Sequence, residues 1–463
     1  MELQKVIEDE NKVTLSTDRH LKAQRMSTIR NEGQQTKKAL LEKKPLTNCL
    51  MEKICERSNL NQAYKRVKAN KGAPGIDGMK VEEMREFIAK HKEKLVESLL
   101  NGSYQPKPVR EVEIPKANGG VRQLGIPTVI DRLIQQAILQ ILQPIYEQEF
   151  SDSSYGFRPG RSAHQAIQRA QSYVQAGNRV VVDIDLEKFF DRVNHDILMS
   201  TLAKRISDKR LLKIIRAFLN AGIMRQGVCV ERDEGTPQGG NLSPLLSNIM
   251  LDGLDKELEK RGHKFCRYAD DCNIYVKTVR AGKRVMSTLK TILINKLKLK
   301  INETKSAVAV VNQRQFLGYC LLTNGKLGLP KKSKERLKET VRKLTKRNRG
   351  VSLERVICEL NVKLRGWINY FRYVPAASFR GIDSWIKRRL RCYRLKQRKR
   401  SYPIALFLIE LGVNRRSAWN TAKSGKGWWR LSGSPALNQA MSNKWFEEMR
   451  LINLQQRAIL LTV

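Results

Sequence analysis

Four aspartates in two short runs are the residues of this chain best suited to chemistry. Asp183 and Asp185 alternate at the end of the apolar run 180–184, and Asp270 and Asp271 stand side by side between the apolar runs 265–268 and 273–276. Carboxylate oxygens are hard donors that hold Mg2+ while leaving positions for water and substrate phosphates. Two such ions, roughly 3.5–4 Å apart, can make a 3′ hydroxyl nucleophilic and neutralise a phosphoryl group during nucleotidyl transfer. Aspartate suits the task because its short side chain keeps an ion close to rigid backbone. Asp183 and Asp185 share a strand face and remain rivals on spacing alone. An Asp-Asp pair is also ordinary turn chemistry. The apolar frame and the second acidic strand end favour the metal reading.

The elements that must bring these residues together can be read around them. The run 180–184 is β-branched and apolar, as in a buried strand, and 265–268 and 273–276 are two short strands with Asp270-Asp271 at the hairpin tip. Upstream, Leu50, Ile54, Leu60, Tyr64 and Val67 recur at helical spacing over 50–68. The segment 70–78, with Gly72, Ala73 and Pro74, must be a turn. Residues 109–126 alternate around Asn118-Gly119-Gly120, a hairpin carrying Arg110, Lys116 and Arg122. Helices are expected over 131–142, 194–221, 242–260 and near 282–296. The segments 154–161 (with Arg158 and Arg161) and 235–240 are turns, and strands are expected near 307–311 and 316–321. The pattern is that of an α+β fold. Residues 331–400 look helical and hold 24 Lys/Arg against 5 Asp/Glu.

Composition narrows the function classes. The 463 residues carry a formal net charge of +43 with 41% hydrophobic residues. That is enough apolar material for a core, and the positive excess needs a polyanion, most simply a nucleic acid backbone. The charged N-terminus is not a secretory signal, and no apolar run has the length of a membrane span. Eight cysteines without a CxxC pair read as free thiols in a reducing cytosol.

Taken in order, several motifs resemble those of bacterial group II intron reverse transcriptases, or maturases, most nearly the group IIC branch. They are Tyr268-Ala-Asp-Asp271, Asp183-Ile-Asp-Leu-Glu-Lys-Phe-Phe-Asp191, Gly235-Thr-Pro-Gln-Gly-Gly-Asn-Leu-Ser-Pro-Leu-Leu246, Asn302-Glu-Thr-Lys305, Phe316-Leu-Gly-Tyr319 and Gly366-Trp-Ile-Asn-Tyr-Phe371. The resemblance runs from about residue 46 to near the C-terminus. It implies a right-hand polymerase: an extension at 1–45, fingers and an antiparallel palm over 46–328, an α-helical thumb or X domain over 329–400, and a small DNA-binding region over 401–463.

The resemblance also assigns roles. Asp185, Asp270 and Asp271 would bind two Mg2+ ions, with the Ile184 carbonyl as a further ligand that the sequence alone does not identify. Asp185 is preferred to Asp183 because Phe190, five residues beyond it, fits the aromatic gate that excludes a ribose 2′ hydroxyl. Arg110, Lys116, Arg122, Phe190 and Gln238 would bind the dNTP. Lys305 would stand near the leaving pyrophosphate as a catalytic acid, although a structural salt bridge fits it equally. Phe316, Leu317, Gly318 and Tyr319 would form the primer grip. Gly72, Ala73, Pro74, Arg158, Arg161, Arg365, Trp367, Tyr370, Arg388 and Arg389 would contact nucleic acid. Trp428-Trp429 suits base stacking or a small core.

The implied function is to bind the intron RNA, assist its splicing and copy RNA into DNA for intron mobility. The partners would be group II intron RNA, an RNA template/DNA primer duplex, target DNA and dNTPs. The implied place is the bacterial cytoplasm, at the nucleoid when on DNA. A host-adopted reverse transcriptase for repair or defence, and a non-catalytic splicing cofactor, are the alternatives. With no His after His263 and no late cysteine pair at metal spacing, the His-Asn-His endonuclease of many relatives is expected to be absent. Target nicking is then not expected, and priming would use another 3′ end.

Overall fold

A computed structural model describes residues 49–462 apart from 116–118, 226–227, 231–232 and 237–238. The 1–45 extension, Lys116 and Gln238 therefore lie outside the described residues. The strands in chain order are β1 (Val109–Pro115), β2 (Val121–Ile126), β3 (Val180–Ile184), β4 (Ile223–Arg225), β5 (Val228–Val230), β6 (Lys264–Tyr268), β7 (Asp271–Val276), β8 (Ala307–Val310), β9 (Gln315–Phe316), β10 (Tyr319–Leu321) and β11 (Leu327–Gly328). They form sheets ordered β2-β1-β4-β5, β6-β7-β3-β8 and β11-β10-β9. With the helices between them this is the expected α+β fold. No helix among the described residues is long and apolar enough to cross a membrane. The chain divides into two compact units, residues up to 148 with 190–250, and residues 149–189 with 251–463.

In the first unit the β1–β2 hairpin pairs Arg110 with Ile126 and Ile114 with Arg122, as the alternation requires. The helix expected over 50–68 is two helices, Leu50–Cys55 and Arg57–Asn70, because Glu56 takes an extended ψ of 137°. The break is held by Asn59, whose Nδ2 donates to the carbonyls of Ile54 at 2.9 Å and Ala137 at 3.1 Å. Helix Val129–Glu147 is buried along most of its first half and starts at Thr128, whose hydroxyl accepts the Asp131 N–H. The 70–78 turn docks there. A Cβ on Gly75 would lie 2.6 Å from Thr128 Cα, and one on Gly72 would lie 2.1 Å from an Arg132 nitrogen. Arg132 also donates to the Ala73 carbonyl at 2.8 Å. Glycine is needed at Gly75, where the neighbour is backbone, whereas at Gly72 the neighbour is the end of the Arg132 side chain.

In the second unit the antiparallel β3–β7 pairing sets Asp183 opposite Asn273 and Ile184 opposite Cys272, while β6–β7 sets Tyr268 opposite Asp271. Val180 and Val182 are buried under helix Val279–Leu297, where a Cβ on Gly282 would meet Val308 at 2.5 Å, and Val181 is buried on the opposite face with Ala166, Ile167 and Ala170. The single strand expected near 316–321 is instead a hairpin, β9–β10. Leu317 and Gly318 turn it at φ of 47° and 73°.

The Trp-, Arg- and Gly-rich tail, which gave no regular pattern, is a set of short helices from Ser401–Glu410 to Leu454–Thr462. Their Leu437, Met441, Phe446 and Leu454 share one hydrophobic cluster with Leu360 and Leu364 of helix Leu353–Tyr370 and Ile386 and Leu390 of helix Arg380–Arg398. Trp428 packs against that cluster and Trp429 is 40% exposed.

Candidate active site

Strand pairing gathers the aspartates. Asp183 lies in β3, Asp185 follows its last residue, and both are carried beside β7, whose first residue is Asp271. The hairpin tip is therefore Ala269-Asp270 alone. Ala269 takes φ 59°, a conformation that costs a non-glycine residue about 1 kcal/mol or more. Its surroundings enforce it. Arg267 donates to the Ala269 carbonyl at 3.0 Å, and a Cβ on Gly156 would lie 2.3 Å from the Ala269 nitrogen. Arg267 is itself fully buried against Asp255, with Nε–Oδ1 at 2.7 Å, and also donates to Ser154 Oγ at 2.8 Å.

The two acids of the first run have different fates. Arg314 Nε donates to Asp183 Oδ2 at 2.7 Å, and the Asn273 amide, oriented to donate, stands 2.9 Å from Asp183 Oδ1. Asp183 is thus held on both oxygens. Asp185 is fixed through its backbone. Its N–H donates to Ser306 Oγ at 3.0 Å and its carbonyl accepts the Asn302 N–H at 2.9 Å. The Asp185 carboxylate lies 3.3 Å from Lys305 Nζ, a lysine side chain 67% exposed. An ion pair so open to water contributes at most about 1 kcal/mol, so the ammonium exchanges readily. Arg314 also bonds the Lys305 carbonyl, tying the two motifs together.

The Asp271 carboxyl is pushed up to about 6, first by desolvation, then by the charges of Asp270, Asp183 and Asp185, with Lys305 opposing. Asp271 is nevertheless open to solvent, so crowding by like charge is the firmer of these causes. Crowded hard oxygens fit a divalent cation in kind. Among the described residues, however, no group of three or more acidic, His or Cys side chains surrounds one point at ligand distance. Asp185, Asp270 and Asp271, the expected ligands, are near enough in charge to perturb Asp271 but are not gathered round one point. The buried Ile184 sits in register within the ladder, and nothing there singles out its carbonyl.

The other expected contacts divide. The β9–β10 hairpin, expected to grip the primer, is tied to the helix that carries Gly366-Trp-Ile-Asn-Tyr-Phe371: Tyr370 Oη donates to the Leu317 carbonyl at 2.6 Å, and Tyr319 Oη bonds the Tyr370 carbonyl. His164 Nε2 reaches that carbonyl too, at 2.7 Å. Phe316 and Tyr319 are buried. Arg365 is exposed on the same helix as Tyr370. In the first unit, Arg110 is half-buried in β1, and Phe190 accepts the Thr236 N–H through its carbonyl at 2.6 Å. Arg122 lies in β2 opposite Ile114.

Several residues expected to contact nucleic acid have partners within the protein. Arg158 is buried and gives Nη1 to the carbonyls of Ser151 and Ser154, so it props the loop under the catalytic hairpin instead of facing nucleic acid. Arg161 pairs with Asp152 at 2.6 Å. Trp367 packs on Phe371 and Phe379. Arg389 donates to Thr345 Oγ1 at 2.9 Å and to the Thr345 carbonyl, closing the end of helix Lys331–Leu344. Arg388 stacks over Trp429 at 4.3 Å. The exposed cations nearby are others, among them Lys331, Lys332, Arg336, Arg342 and Lys343. Arg314, Arg267, Asp255 and Gly156 were not singled out from the sequence, since a lone arginine or glycine carries no spacing signal.

Known proteins agree with this geometry. Residues 114–321 match the family described as reverse transcriptase (RNA-dependent DNA polymerase), and residues 334–405 match the group II intron maturase-specific domain. Protein YkfC of Escherichia coli is 35% identical over 59% of this chain and 82% of its own length. The chain belongs to the group II intron reverse transcriptase–maturase family. The group II intron-encoded protein LtrA of Lactococcus lactis subsp. cremoris is 32% identical over 56% of this chain, and the matched region is 54% of LtrA. Among solved structures, a chain of a partial Cas6-RT-Cas1--Cas2 complex covers 53% of this reverse transcriptase–maturase at 26% identity and a TM-score of 0.35. The RNA-directed DNA polymerase domain thus contains all four aspartates, and the maturase domain contains Arg365, Trp367 and Tyr370. Reverse transcriptases generally use Mg2+.

Proposed function

We propose that this chain copies RNA into DNA at a primer end held beside Asp185, Asp270 and Asp271, and that it binds a group II intron RNA and assists its splicing. What supports the reading is the β3–β7 register, which carries Asp185 and Asp271 on neighbouring strands inside the reverse transcriptase match. Bound Mg2+ would activate the 3′ hydroxyl and neutralise charge on the phosphoryl group. Asp185, Asp270 and Asp271 would hold those ions, and Asp183 serves as a strut for the strand. Lys305 is mobile enough to turn from Asp185 to a leaving pyrophosphate and give it a proton. Phe190 excludes a ribose 2′ hydroxyl, and Arg110, Lys116, Arg122 and Gln238 hold the triphosphate and base. The β9–β10 hairpin grips the primer, steadied by Tyr370.

The partners in this reading are intron RNA, an RNA template/DNA primer duplex, target DNA and dNTPs, met in the bacterial cytoplasm. The exposed lysines and arginines of helix Lys331–Leu344, with Arg365, contact phosphates of the RNA. The fingers and palm are assigned to 46–328, the thumb to 329–400 and DNA contacts to 401–463. Primer extension on poly(rA)/oligo(dT) with dTTP and Mg2+ tests the activity. Extension with dTTP and rejection of the ribonucleotide are expected, and a protein inert on this substrate would refute the assignment.

A further inference from the structure

Helix Arg380–Arg398 and the short helices after it line an open polar cavity of about 510 Å3. Lys387, Arg388 and Arg391 line it, with Ser442 and Asn443 across from them. Lys387 and Arg391 are each only 8% exposed. Buried cations are normally matched by a carboxylate. Their partners here are neutral: Lys387 Nζ donates to Asn443 Oδ1 at 2.7 Å, and Arg391 donates through Nε and Nη2 to the Met441 carbonyl at 3.1 and 2.7 Å. Asp383, on the same helix, gives its two oxygens to the N–H groups of Leu454 and Gln455. No carboxylate lines the cavity among the described residues.

Arg388 adds a third positive charge. Its guanidinium lies over Trp429 and beside Gly433, where a Cβ would come within 3.3 Å of Cζ. Its Nε is buried with no hydrogen-bond partner among the described residues. Burial pushes Lys387 down, against the pull of Asp383 and Glu447, and pushes Arg391 down to about 10. Burial that takes a cation out of water, with no carboxylate bonded to it, acts in this direction. Ser442 accepts the Trp445 N–H and keeps its own proton to donate.

We propose that this cavity is a binding site for a phosphate group, held by Lys387, Arg388 and Arg391 with Ser442 as a neutral donor. Charge-assisted bonds to a tetrahedral oxyanion satisfy what the neutral partners leave unmet. The volume admits a phosphate with the sugar attached to it. The cavity meets a second polar cleft at Gly433, lined by Arg416, Lys426 and Arg430. That continuity favours a phosphate within a nucleic acid strand over a free one. The site does not depend on the polymerase reading, because none of its residues lies in the reverse transcriptase match.

Inorganic phosphate titrated calorimetrically into the full chain at constant ionic strength tests the proposal. Lys387→Gln and Arg391→Gln should each weaken binding about tenfold or more, while Lys387→Arg keeps it. Circular dichroism identifies folded variants, and if one substitution unfolds the chain the other carries the comparison. A single-stranded oligodeoxynucleotide that competes phosphate off, and binds the variants less tightly, identifies the strand as the source. Phosphate binding lost in the variants with oligonucleotide binding unchanged identifies a free phosphate or nucleotide. Equal phosphate affinity in wild type and folded variants, or no binding to any of them, overturns the site.

Discussion

Arg314 holds Asp183, with Nε 2.7 Å from Oδ2, while the Asp185 carboxylate two residues later pairs with the exposed Lys305 at 3.3 Å. The two aspartates of one strand end therefore do different things. Asp183→Asn should leave single-turnover primer extension within about tenfold of wild type. Asp185→Asn should lose on the order of 100-fold or more, the scale of a lost electrostatic contact at a reacting centre. The reverse order of effects would make Asp183 the ligand.

Tyr370 links helix Leu353–Tyr370 to the β9–β10 turn, the proposed primer grip, through the Leu317 carbonyl at 2.6 Å. Tyr370→Phe removes that bond and keeps the ring, at a stability cost of about 1 kcal/mol. Extension from a pre-bound primer should slow little, while the fraction of primers extended over many steps falls. Unchanged product lengths on a long template would show that the link does not matter to the grip.

The buried Arg267–Asp255 pair underlies the strained Ala269 turn. Removing one partner of a fully buried pair costs about 3–5 kcal/mol, because the other charge is stranded. Asp255→Ala should lower the thermal midpoint by several degrees and depress activity of the protein that remains folded. An unaltered midpoint would mean that the pair is dispensable.

Much of this could be read beforehand, for a physical reason. The β-branched run 180–184 and the apolar runs around Asp270-Asp271 are buried on both faces, so the existence of these strands followed from continuous apolar composition, and their neighbourhood from the motif resemblance. The break at Glu56 did not, because the Asn59 side chain that caps it bonds Ala137, remote in sequence. The Leu317-Gly318 turn was hidden because leucine gives no turn signal. The internal partners of Arg158, Arg389 and Trp367 were not legible, since a basic or aromatic residue reads the same whether it faces solvent or a buried carbonyl. Arg314 was invisible because its partner lies 131 residues away.

Stability should depend on pH through Asp208. Burial raises its carboxyl, but hydrogen bonds from Arg210 and from the Met51 and Leu211 amides outweigh this and hold it below the usual range. Glu52, which shares Arg210, is lowered chiefly by that hydrogen bond. A lowered folded pKa contributes stability above the unfolded value, near 4, and that stability is lost as pH falls through the folded value. Asp208→Ala, which also removes the cap of helix Lys209–Asn220, should cost about 1–3 kcal/mol in urea unfolding at pH 7. The cost should be clearly smaller at pH 3. An equal cost at both would leave no role for the charge.

The claim on which the rest stands is tested most directly by the double variant Asp270→Ala/Asp271→Ala, assayed in parallel for primer extension on poly(rA)/oligo(dT) and for binding to a group II intron RNA. DNA synthesis should disappear while RNA affinity stays within about threefold of wild type, because phosphate-contacting lysines and arginines rather than the carboxylates govern that affinity. Continued synthesis by the double variant would contradict the assignment of the centre.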